Sequence, residues 1–209
     1  MFRGLFVTGT DTGVGKTVVS AALALRFQGV SYWKPVQTGI EQDDDAAEVH
    51  RLAGCPVAHG IGLPRPVSPH LAARWSGVTI SVEDLRPPDV NACIVEGAGG
   101  VLVPLNDSQL MADLMYSLDL PVVVVARTSL GTINHTLLTL EALRSRSLCV
   151  AGVVMVGESN VDNRAAIEHY GQTRVLSEMP WFQPLESARL AAWAAEELDP
   201  SGVLAEWLE

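Results

Sequence analysis

Cysteine is scarce in the sequence, and long apolar runs are missing. The 209 residues include only Cys55, Cys93 and Cys149, an odd number without a C-x-x-C pair. This pattern argues against a disulfide scaffold or a zinc knuckle and is typical of a reducing compartment. The longest apolar run outside the short strands, 120–126, is far below the roughly 20 residues that span a bilayer. Because no signal peptide precedes the first apolar segment, we expect a cytoplasmic protein that does not bind membranes.

Positive charge is also scarce. Lysine and arginine number 14 against 24 acidic residues, which gives a formal net charge of −10. Such a chain is a poor candidate for a nonspecific binder of nucleic acid or anionic membranes. Only two of the basic residues are lysines, Lys16 and Lys34. The acidic excess is concentrated at the C-terminal end and near residues 41–45, so the N-terminal half can still hold an anionic ligand.

Short apolar runs of strand length alternate with longer helical patterns along the chain. This alternation predicts an α/β protein with a doubly wound, mostly parallel sheet flanked by helices. The predicted strands are Gly4–Thr8, Val30–Trp33, Val90–Val95, Pro121–Ala126, Val150–Val156 and Thr173–Leu176. The predicted helices are Lys16–Phe27, Ala46–Leu52, Met111–Leu118, Ile133–Arg146, Asp162–Tyr170 and Ser187–Leu198, with a further helix in the tail. The segment 55–81, rich in proline and glycine, is expected to be an irregular insertion that either lines a ligand site or crosses the surface.

A glycine-rich loop, 9–17 with the sequence GTDTGVGKT, separates the first strand from the first helix. In a phosphate-binding loop the glycines let successive N–H groups point at phosphate oxygens, and the helix N-terminus adds partial positive charge. Lys16 would reach the β- and γ-phosphates, and the Thr17 hydroxyl would bind Mg²⁺. Compared with the usual spacing of a phosphate-binding loop, the first glycine stands one residue early. An ordinary strand-to-helix turn is therefore the alternative interpretation of this segment. The context favours one P-loop nucleotide-binding catalytic domain over residues 1–209.

Acidic residues that could hold Mg²⁺ follow two of the strands. Glu96 ends the third predicted strand, beside glycines, and ligands bind at the carboxyl ends of strands in doubly wound sheets. The alternative for Glu96 is a cap or turn residue. Asp43, Asp44 and Asp45 stand together before a predicted helix, and one or two of them are expected to serve only as helix N-terminal charges.

Several further short motifs follow one another along the chain. They are VTGTDT (7–12), GKT (15–17), KPVQTG (34–39), SPH (68–70), VEGAGG (95–100), LGTINH (130–135) and MPW (179–181). In the order and spacing of these motifs, the chain resembles the dethiobiotin synthetase family from Val7 to about Phe182. The resemblance implies an enzyme that uses ATP and Mg²⁺ to convert 7,8-diaminopelargonate and CO2 into dethiobiotin, ADP and phosphate. It also implies a homodimer with the substrate site at the interface.

The resemblance also implies a role for individual residues. The catalytic residues would be Lys16 and Lys34. The Mg²⁺ ligands would be Thr17, Asp45 and Glu96. The nucleotide would contact Gly13, Val14, Gly15, Lys16, Thr17, Val18, Asp45, Glu96, Gly97, Ala98, Gly99, Pro180, Trp181 and Phe182. The diamine would contact Thr12, Thr38, Gly131, Thr132, Ile133 and Asn134.

One position departs from the family pattern. Family members commonly carry an asparagine that hydrogen-bonds the adenine at the end of the strand predicted over 150–156, and this chain has Val156 there. A valine side chain neither donates nor accepts a hydrogen bond. We therefore expect relaxed nucleotide choice, unless Asn160 substitutes from the following loop.

Three other functions are weaker matches. ATPases of the partitioning or cell-division type place a second lysine in the loop, where this chain has Asp11. Amide synthases of the cobyrinate type usually carry a glutaminase domain, for which 209 residues leave no room. A nucleotide-binding regulator without catalysis is disfavoured because Lys16, Thr17, Lys34 and Glu96 occur together.

Overall fold

The computed structural model describes residues 3–208, in which one seven-stranded sheet lies between two layers of helices. The strands are β1 (Arg3–Gly9), β2 (Ser31–Thr38), β3 (Val57–Leu63), β4 (Ala92–Gly100), β5 (Val122–Arg127), β6 (Val150–Val156) and β7 (Val175–Met179). Their order across the sheet is β3-β2-β4-β1-β5-β6-β7, and each pair of neighbours is parallel. The predicted α/β fold with a parallel sheet is therefore confirmed.

Helices cover both faces of this sheet. One face carries α1 (Lys16–Arg26), α2 (Asp45–Ala53), α7 (Ser187–Glu196) and the short α8 (Ala205–Leu208). The other face carries α3 (Pro69–Ser76), α4 (Met111–Leu118), α5 (Thr132–Arg144) and α6 (Val161–Gly171). Within residues 3–208, no helix combines the length and the hydropathy needed to cross a membrane.

The central strands are apolar throughout because both of their faces are covered. In β1, Leu5 and Val7 point to the layer of α1 and α2, whereas Phe6 points to the opposite layer. All three side chains have no exposed surface. Burying an apolar side chain of this size contributes about 1.5–3 kcal/mol, so a continuous apolar run is stable in a strand with two covered faces.

The second strand is longer than the predicted Val30–Trp33, and Pro35 lies inside it. The backbone N–H of Tyr32 donates toward β3. Because backbone nitrogens alternate in direction along a strand, the nitrogen of Pro35, an odd number of residues away, points toward β4. The pairing of β2 with β4 ends at Trp33. The proline therefore interrupts no hydrogen-bond ladder between strands, and β2 continues along β3 to Thr38. As a result, Lys34 lies within a strand.

The expectation of an irregular insertion over 55–81 was wrong. The segment contains β3 and α3, followed by a short 3-10 turn at Val82–Asp84. The strand signal is weak because β3 is an edge strand, half exposed and interrupted by Gly60 and Gly62. The chain between β3 and α3 does line the cleft described below.

Candidate functional site

A cleft of about 980 Å³ opens at the carboxyl ends of β1, β2 and β4. The loop between β1 and α1 forms one wall, and the end of β2 with the start of α2 forms another. The loop 66–69 and the end of β4 close the remaining sides. Loops from three neighbouring parallel strands thus converge on one space, as expected of the ligand-binding edge of an α/β sheet.

The loop between β1 and α1 has the backbone that phosphate binding requires. Gly13 and Gly15 adopt positive φ angles of 70° and 100°, a region that other residues rarely occupy. Helix α1 begins at Lys16, directly after Gly15, and has neither a side-chain cap nor an acidic residue in its first turn. Its first N–H groups are therefore available to an anion. The Lys16 ammonium donates to the Asp11 carbonyl over 3.1 Å.

Glu96 forms the centre of the polar network under this loop. Its carboxylate has no exposed surface and accepts hydrogen bonds from side chains on two elements, α1 and β2. Oε1 lies 2.7 Å from Lys34 Nζ and 3.2 Å from Thr17 Oγ1. Oε2 lies 2.8 Å from Ser20 Oγ and 3.0 Å from Tyr32 Oη. A buried carboxylate is stable only when it is paired and hydrogen-bonded in this way.

Asp45 brings a second carboxylate to the same point. Thr17 Oγ1 donates to Asp45 Oδ1 over 2.9 Å, and Lys34 also forms an ion pair with Asp45. The neighbouring Asp44 instead caps α2, because its side chain accepts from the N–H of Ala47. One member of the acidic cluster therefore serves as a helix cap, as expected, while Asp45 faces the cleft.

The two lysines respond in opposite directions to these surroundings. Burial lowers the pKa of Lys16 below its ordinary value, although Glu96 opposes the change. Burial also acts to lower the pKa of Lys34, but Glu96 and Asp45 outweigh it, and the pKa rises. Burial, together with the charge of Glu96, holds the pKa of Tyr32 well above its ordinary value. Lys34 and Tyr32 thus remain hydrogen-bond donors to Glu96 at neutral pH.

Three side-chain oxygens converge where a divalent cation could bind. Thr17 Oγ1 lies within 3.2 Å of both Asp45 Oδ1 and Glu96 Oε1. Mg²⁺ is usually held by one or two carboxylates while substrate phosphates and water complete its shell. The donor set of one hydroxyl and two carboxylates fits this coordination preference. Within residues 3–208, no group of three or more His, Cys, Asp or Glu side chains forms a metal site.

Most of the residues expected in the site line this cleft. They are Thr12, Gly13, Gly15, Lys16, Thr17, Val18, Lys34, Thr38, Asp45, Glu96, Ala98, Gly99 and Trp181. Other expected residues lie outside the lining, namely Val14, Gly97, Gly131, Thr132, Ile133, Asn134, Pro180 and Phe182. Val14 packs in the core, and the Phe182 ring packs against Trp193 with centroids 6.2 Å apart.

Two residues of the network, Ser20 and Tyr32, were not expected from the sequence. For each of them, the spacing from a predicted site residue in the sequence indicates a place beside the site. Tyr32 precedes Lys34 by two residues in a strand and so lies on the same face. Ser20 follows Thr17 by three residues in α1, which places both on one side of the helix.

The similarity to known proteins covers nearly the whole chain. A family model described as an AAA domain matches residues 3–189. An ATP-dependent dethiobiotin synthetase of Paramagnetospirillum magneticum is 52% identical over 195 residues, which is 92% of this chain and 93% of the relative. The enzymes of the same name from Sphingopyxis alaskensis and Brucella ovis are 51% and 47% identical. They align over 89% of this chain and over 92% and 90% of their own lengths.

The chain belongs to the ATP-dependent dethiobiotin synthetase family. Solved structures of lower identity show the fold alone. A ParA family ATPase from Chlorobium tepidum has a TM-score of 0.55 at 10% identity and aligns over 92% of this chain and 97% of its own. The signal recognition particle receptor FtsY of Elizabethkingia anophelis has a TM-score of 0.56 at 14% identity, over 100% of this chain and 66% of that chain. Both support the predicted P-loop NTPase-like architecture.

Val156, at the position where the resemblance implies an asparagine, is buried at the end of β6. A Cβ at Gly15 would lie 3.2 Å from Val156 Cγ1, so the valine packs under the phosphate loop. Asn160 Oδ1 accepts from the N–H of Asn163 over 2.9 Å and caps α6. The amide oxygen of Asn160, the candidate replacement residue, is therefore engaged as a helix cap.

Proposed function

We propose that the protein is an ATP-dependent dethiobiotin synthetase, which converts 7,8-diaminopelargonate, CO2 and ATP into dethiobiotin, ADP and phosphate. The observation that carries the proposal is the convergence of Lys16, Lys34, Thr17 and two carboxylates beside the phosphate loop. Together with 52% identity to an enzyme of that name, this cluster supports a phosphoryl-transfer site rather than a nucleotide-binding surface alone.

The proposed reaction has three steps. An amine of the substrate attacks CO2, forms a C–N bond, loses a proton and becomes a carbamate. A carbamate oxygen then attacks the γ-phosphorus, and the bond to the β–γ bridging oxygen breaks, so that ADP leaves. The second amine attacks the carbonyl carbon of this mixed anhydride, loses a proton and expels phosphate, which closes the ureido ring.

Two buried ammonium groups provide the charge that these steps need. Phosphoryl transfer depends mainly on positioning and on neutralising charge in the transition state. Lys16 stands at the start of α1, where it would reach the terminal phosphates. Lys34 stands across the cleft on β2, where it would contact both the carbamate and the phosphoryl group in transfer. An ammonium is compact enough for such a crowded anionic site, whereas a guanidinium needs a planar, forked partner.

The proposal assigns Mg²⁺ to Thr17, Asp45 and Glu96, whose oxygens lie within hydrogen-bonding distance around Thr17 Oγ1. A bound divalent cation would neutralise charge on the β- and γ-phosphates. Lys34 contacts both carboxylates. A cation bound at these oxygens would leave the Lys34 ammonium available to the substrate.

The phosphates themselves would be held by backbone N–H groups of Gly13 to Val18. The positive φ angles of Gly13 and Gly15 and the uncapped start of α1 support this assignment. Gly97 to Gly99 continue β4 beside Glu96, and Ala98 and Gly99 line the cleft close to the loop. Trp181, at the rim of the cleft and 60% exposed, offers a ring face to the base. Pro180 and Phe182 would support that segment.

The substrate would bind between two copies of the chain. Thr12 and Thr38 line the cleft and would contact the diamine or its carbamate. Gly131, Thr132, Ile133 and Asn134 lie outside that lining, at the start of α5. Their N–H groups suit the carboxylate tail of the substrate if they are supplied by the partner of a homodimer. The fully exposed Leu130 beside them supports such an interface.

We also propose a cytoplasmic enzyme with one domain. Three free cysteines are compatible with a reducing compartment. The single sheet, with helices on both faces, supports one catalytic domain.

Product analysis tests the proposed function. The protein is incubated with the diamine, ¹³C-bicarbonate, a magnesium salt and ATP, and the products are analysed by mass spectrometry and phosphate release. We expect dethiobiotin labelled at the ureido carbon, with one phosphate released for each product molecule. Reactions without diamine, bicarbonate or metal serve as controls. The absence of a ureido product in the complete mixture would contradict the proposal.

A further inference from the structure

The two oxygens of the Glu96 carboxylate face different kinds of groups. Oε1 points toward the cleft, where it meets the Lys34 ammonium at 2.7 Å and the Thr17 hydroxyl at 3.2 Å. Oε2 points into the protein, where it accepts from two neutral hydroxyls, those of Ser20 and Tyr32. One oxygen is thus available to ligands, and the other is fixed by the fold.

Ser20 and Tyr32 are placed to hold that inner oxygen and to do nothing else in the cleft. Neither side chain has any exposed surface, and neither lines the cleft. Ser20 comes from α1, one turn beyond Thr17, and Tyr32 comes from β2, two residues before Lys34. The elements that present Thr17 and Lys34 to Oε1 therefore also present the two hydroxyls to Oε2.

We propose that Ser20 and Tyr32 are positioning residues for the metal and phosphoryl-transfer site, because they lock the rotation of the Glu96 carboxylate and keep Oε1 aimed at the cleft. This inference rests on the proposed function, in which Glu96 is a Mg²⁺ ligand.

Physical chemistry explains why a carboxylate needs such a lock. The terminal torsion of a glutamate is broad, so hydrogen bonds rather than rotamer preference decide where each oxygen points. Without donors at Oε2, the buried oxygen has no hydrogen bond. The carboxylate then lowers its free energy by turning so that both of its oxygens face Lys34. Groups that hydrogen-bond a metal ligand from behind commonly change metal affinity or activity by about 10–100-fold when they are removed.

A packing role alone would make a different prediction. The Tyr32 ring belongs to the core beside α1 and α2, and phenylalanine would fill the same space without the hydroxyl. If the ring were all that mattered, Tyr32→Phe would leave metal binding unchanged. Ser20→Ala likewise removes one hydroxyl and little volume.

Binding of Mn²⁺ to the whole protein, followed by electron paramagnetic resonance in the presence of saturating ADP, tests the inference. We expect Tyr32→Phe and Ser20→Ala each to weaken Mn²⁺ binding by about 10–100-fold. The affinity for ADP in EDTA should stay at the wild-type value in both variants. Tyr170→Phe, at a tyrosine that is 70% exposed, is the matched control and should bind Mn²⁺ like the wild type.

A Glu96→Gln variant separates failure of this inference from failure of the proposed function. If the wild type does not bind Mn²⁺, or if Glu96→Gln binds it equally well, the proposed metal role of Glu96 is wrong. If Glu96→Gln loses Mn²⁺ but both hydroxyl variants bind it like the wild type, the positioning role is overturned. A lower melting temperature with unchanged Mn²⁺ affinity overturns it as well. Since the two hydroxyls come from different elements, poor folding of one variant leaves the other to decide.

Discussion

Lys34 Nζ lies 2.7 Å from Glu96 Oε1 at the base of the cleft, and the two side chains are only 5% and 0% exposed. The same ammonium also contacts Asp45. Lys34 therefore bridges two carboxylates. An ion pair this deeply buried contributes to stability, and in the proposed function its ammonium also supplies charge for the reaction. These two contributions can be separated by experiment.

The first prediction concerns the chemical contribution of Lys34. In Lys34→Gln the phosphate loop and Lys16 are unchanged, so we expect ATP to bind with nearly wild-type affinity. Turnover should fall by about 10²–10³-fold, the usual effect of removing one group that stabilises transition-state charge. Nucleotide titration and dethiobiotin production measure the two quantities. Lys16→Gln is the matched control, and it should lose nucleotide affinity as well. Turnover near wild type in Lys34→Gln would remove Lys34 from the mechanism.

The second prediction concerns the structural contribution of the same pair. Lys34→Met leaves Glu96 as a buried carboxylate without its cation, and we expect the free energy of unfolding to fall by about 3–5 kcal/mol. The double variant Lys34→Met, Glu96→Gln removes the charge from both partners and should recover most of that loss. Chemical denaturation of the wild type, both single variants and the double variant gives the coupling. A double variant as unstable as the sum of the single ones would show that the pair is not coupled.

Parts of this molecule could be predicted from the sequence because their signals are local. The bounds of α4 and β6 agree with the prediction to the residue, since one is an uninterrupted periodic helix and the other a strand covered on both faces. The phosphate loop was also predictable, because its strand, glycines and helix are consecutive. The two lysines of the chain are the two that line the cleft.

Other parts depend on the order of the strands, which no local pattern contains. The edge strand β3 packs on one neighbour only, so its sequence does not need to be apolar. Ser20, Tyr32 and Glu96 are far apart in the chain and meet because β4 lies between β1 and β2. Gly131 to Asn134 lie outside the cleft lining of their own chain, and for these residues only the family resemblance, which implies a substrate site shared by two chains, gave an indication.

The third prediction concerns the cysteines. Cys149 is exposed, whereas Cys55 and Cys93 are buried. Burial raises the pKa of Cys93 to about 12 and also raises that of Cys55. A raised pKa keeps a thiol neutral and unreactive at pH 8. We expect Ellman's reagent to modify one thiol in the native protein and all three in denaturant, and Cys149→Ser to remove the native reaction. Rapid modification of a second thiol in the native protein would contradict the burial of Cys55 and Cys93.

The high pKa of Cys93 has a further consequence at alkaline pH. The unfolded thiol titrates near 9, whereas the folded one titrates at about 12, so the folded state retains a proton that the unfolded state loses. The contribution of Cys93 to the free energy of unfolding therefore declines as the pH rises from 9 toward 12. Cys93→Ala should show a smaller decline than the wild type in the same interval.

The fourth prediction concerns nucleotide choice. Val156 packs under Gly15 and offers no hydrogen bond to a base, so we expect ATP, CTP and GTP to compete with less than about 10²-fold discrimination. A site that hydrogen-bonds its substrate rejects analogues by about 10⁴-fold. Quantifying ADP, CDP and GDP from one mixture measures the ratios. Val156→Asn should increase the preference for ATP, and Val156→Ala is its control. A strong preference for ATP in the wild type would disprove relaxed choice.

The fifth prediction concerns the dimer. Leu130 is fully exposed, and Leu138 on the same segment is 56% exposed, which leaves an apolar surface around the start of α5. Burial of this surface against a second copy would place Asn134 beside the partner's cleft. We expect a dimer in analytical ultracentrifugation, dissociation and loss of turnover in Leu130→Asp, and neither effect in Val78→Asp, at an exposed residue outside this surface.

Subunit mixing tests whether the start of α5 completes the partner's site. Asn134→Ala should raise the KM for the diamine, and Lys34→Gln should lose turnover. If residues 131–134 act across the interface, a mixed dimer contains one site with an intact Lys34 from one chain and an intact Asn134 from the other. At a diamine concentration far below the raised KM, activity should then increase when the two defective proteins are mixed and allowed to exchange subunits. If both residues serve the cleft of their own chain, every site in the mixture remains defective, and mixing would restore nothing.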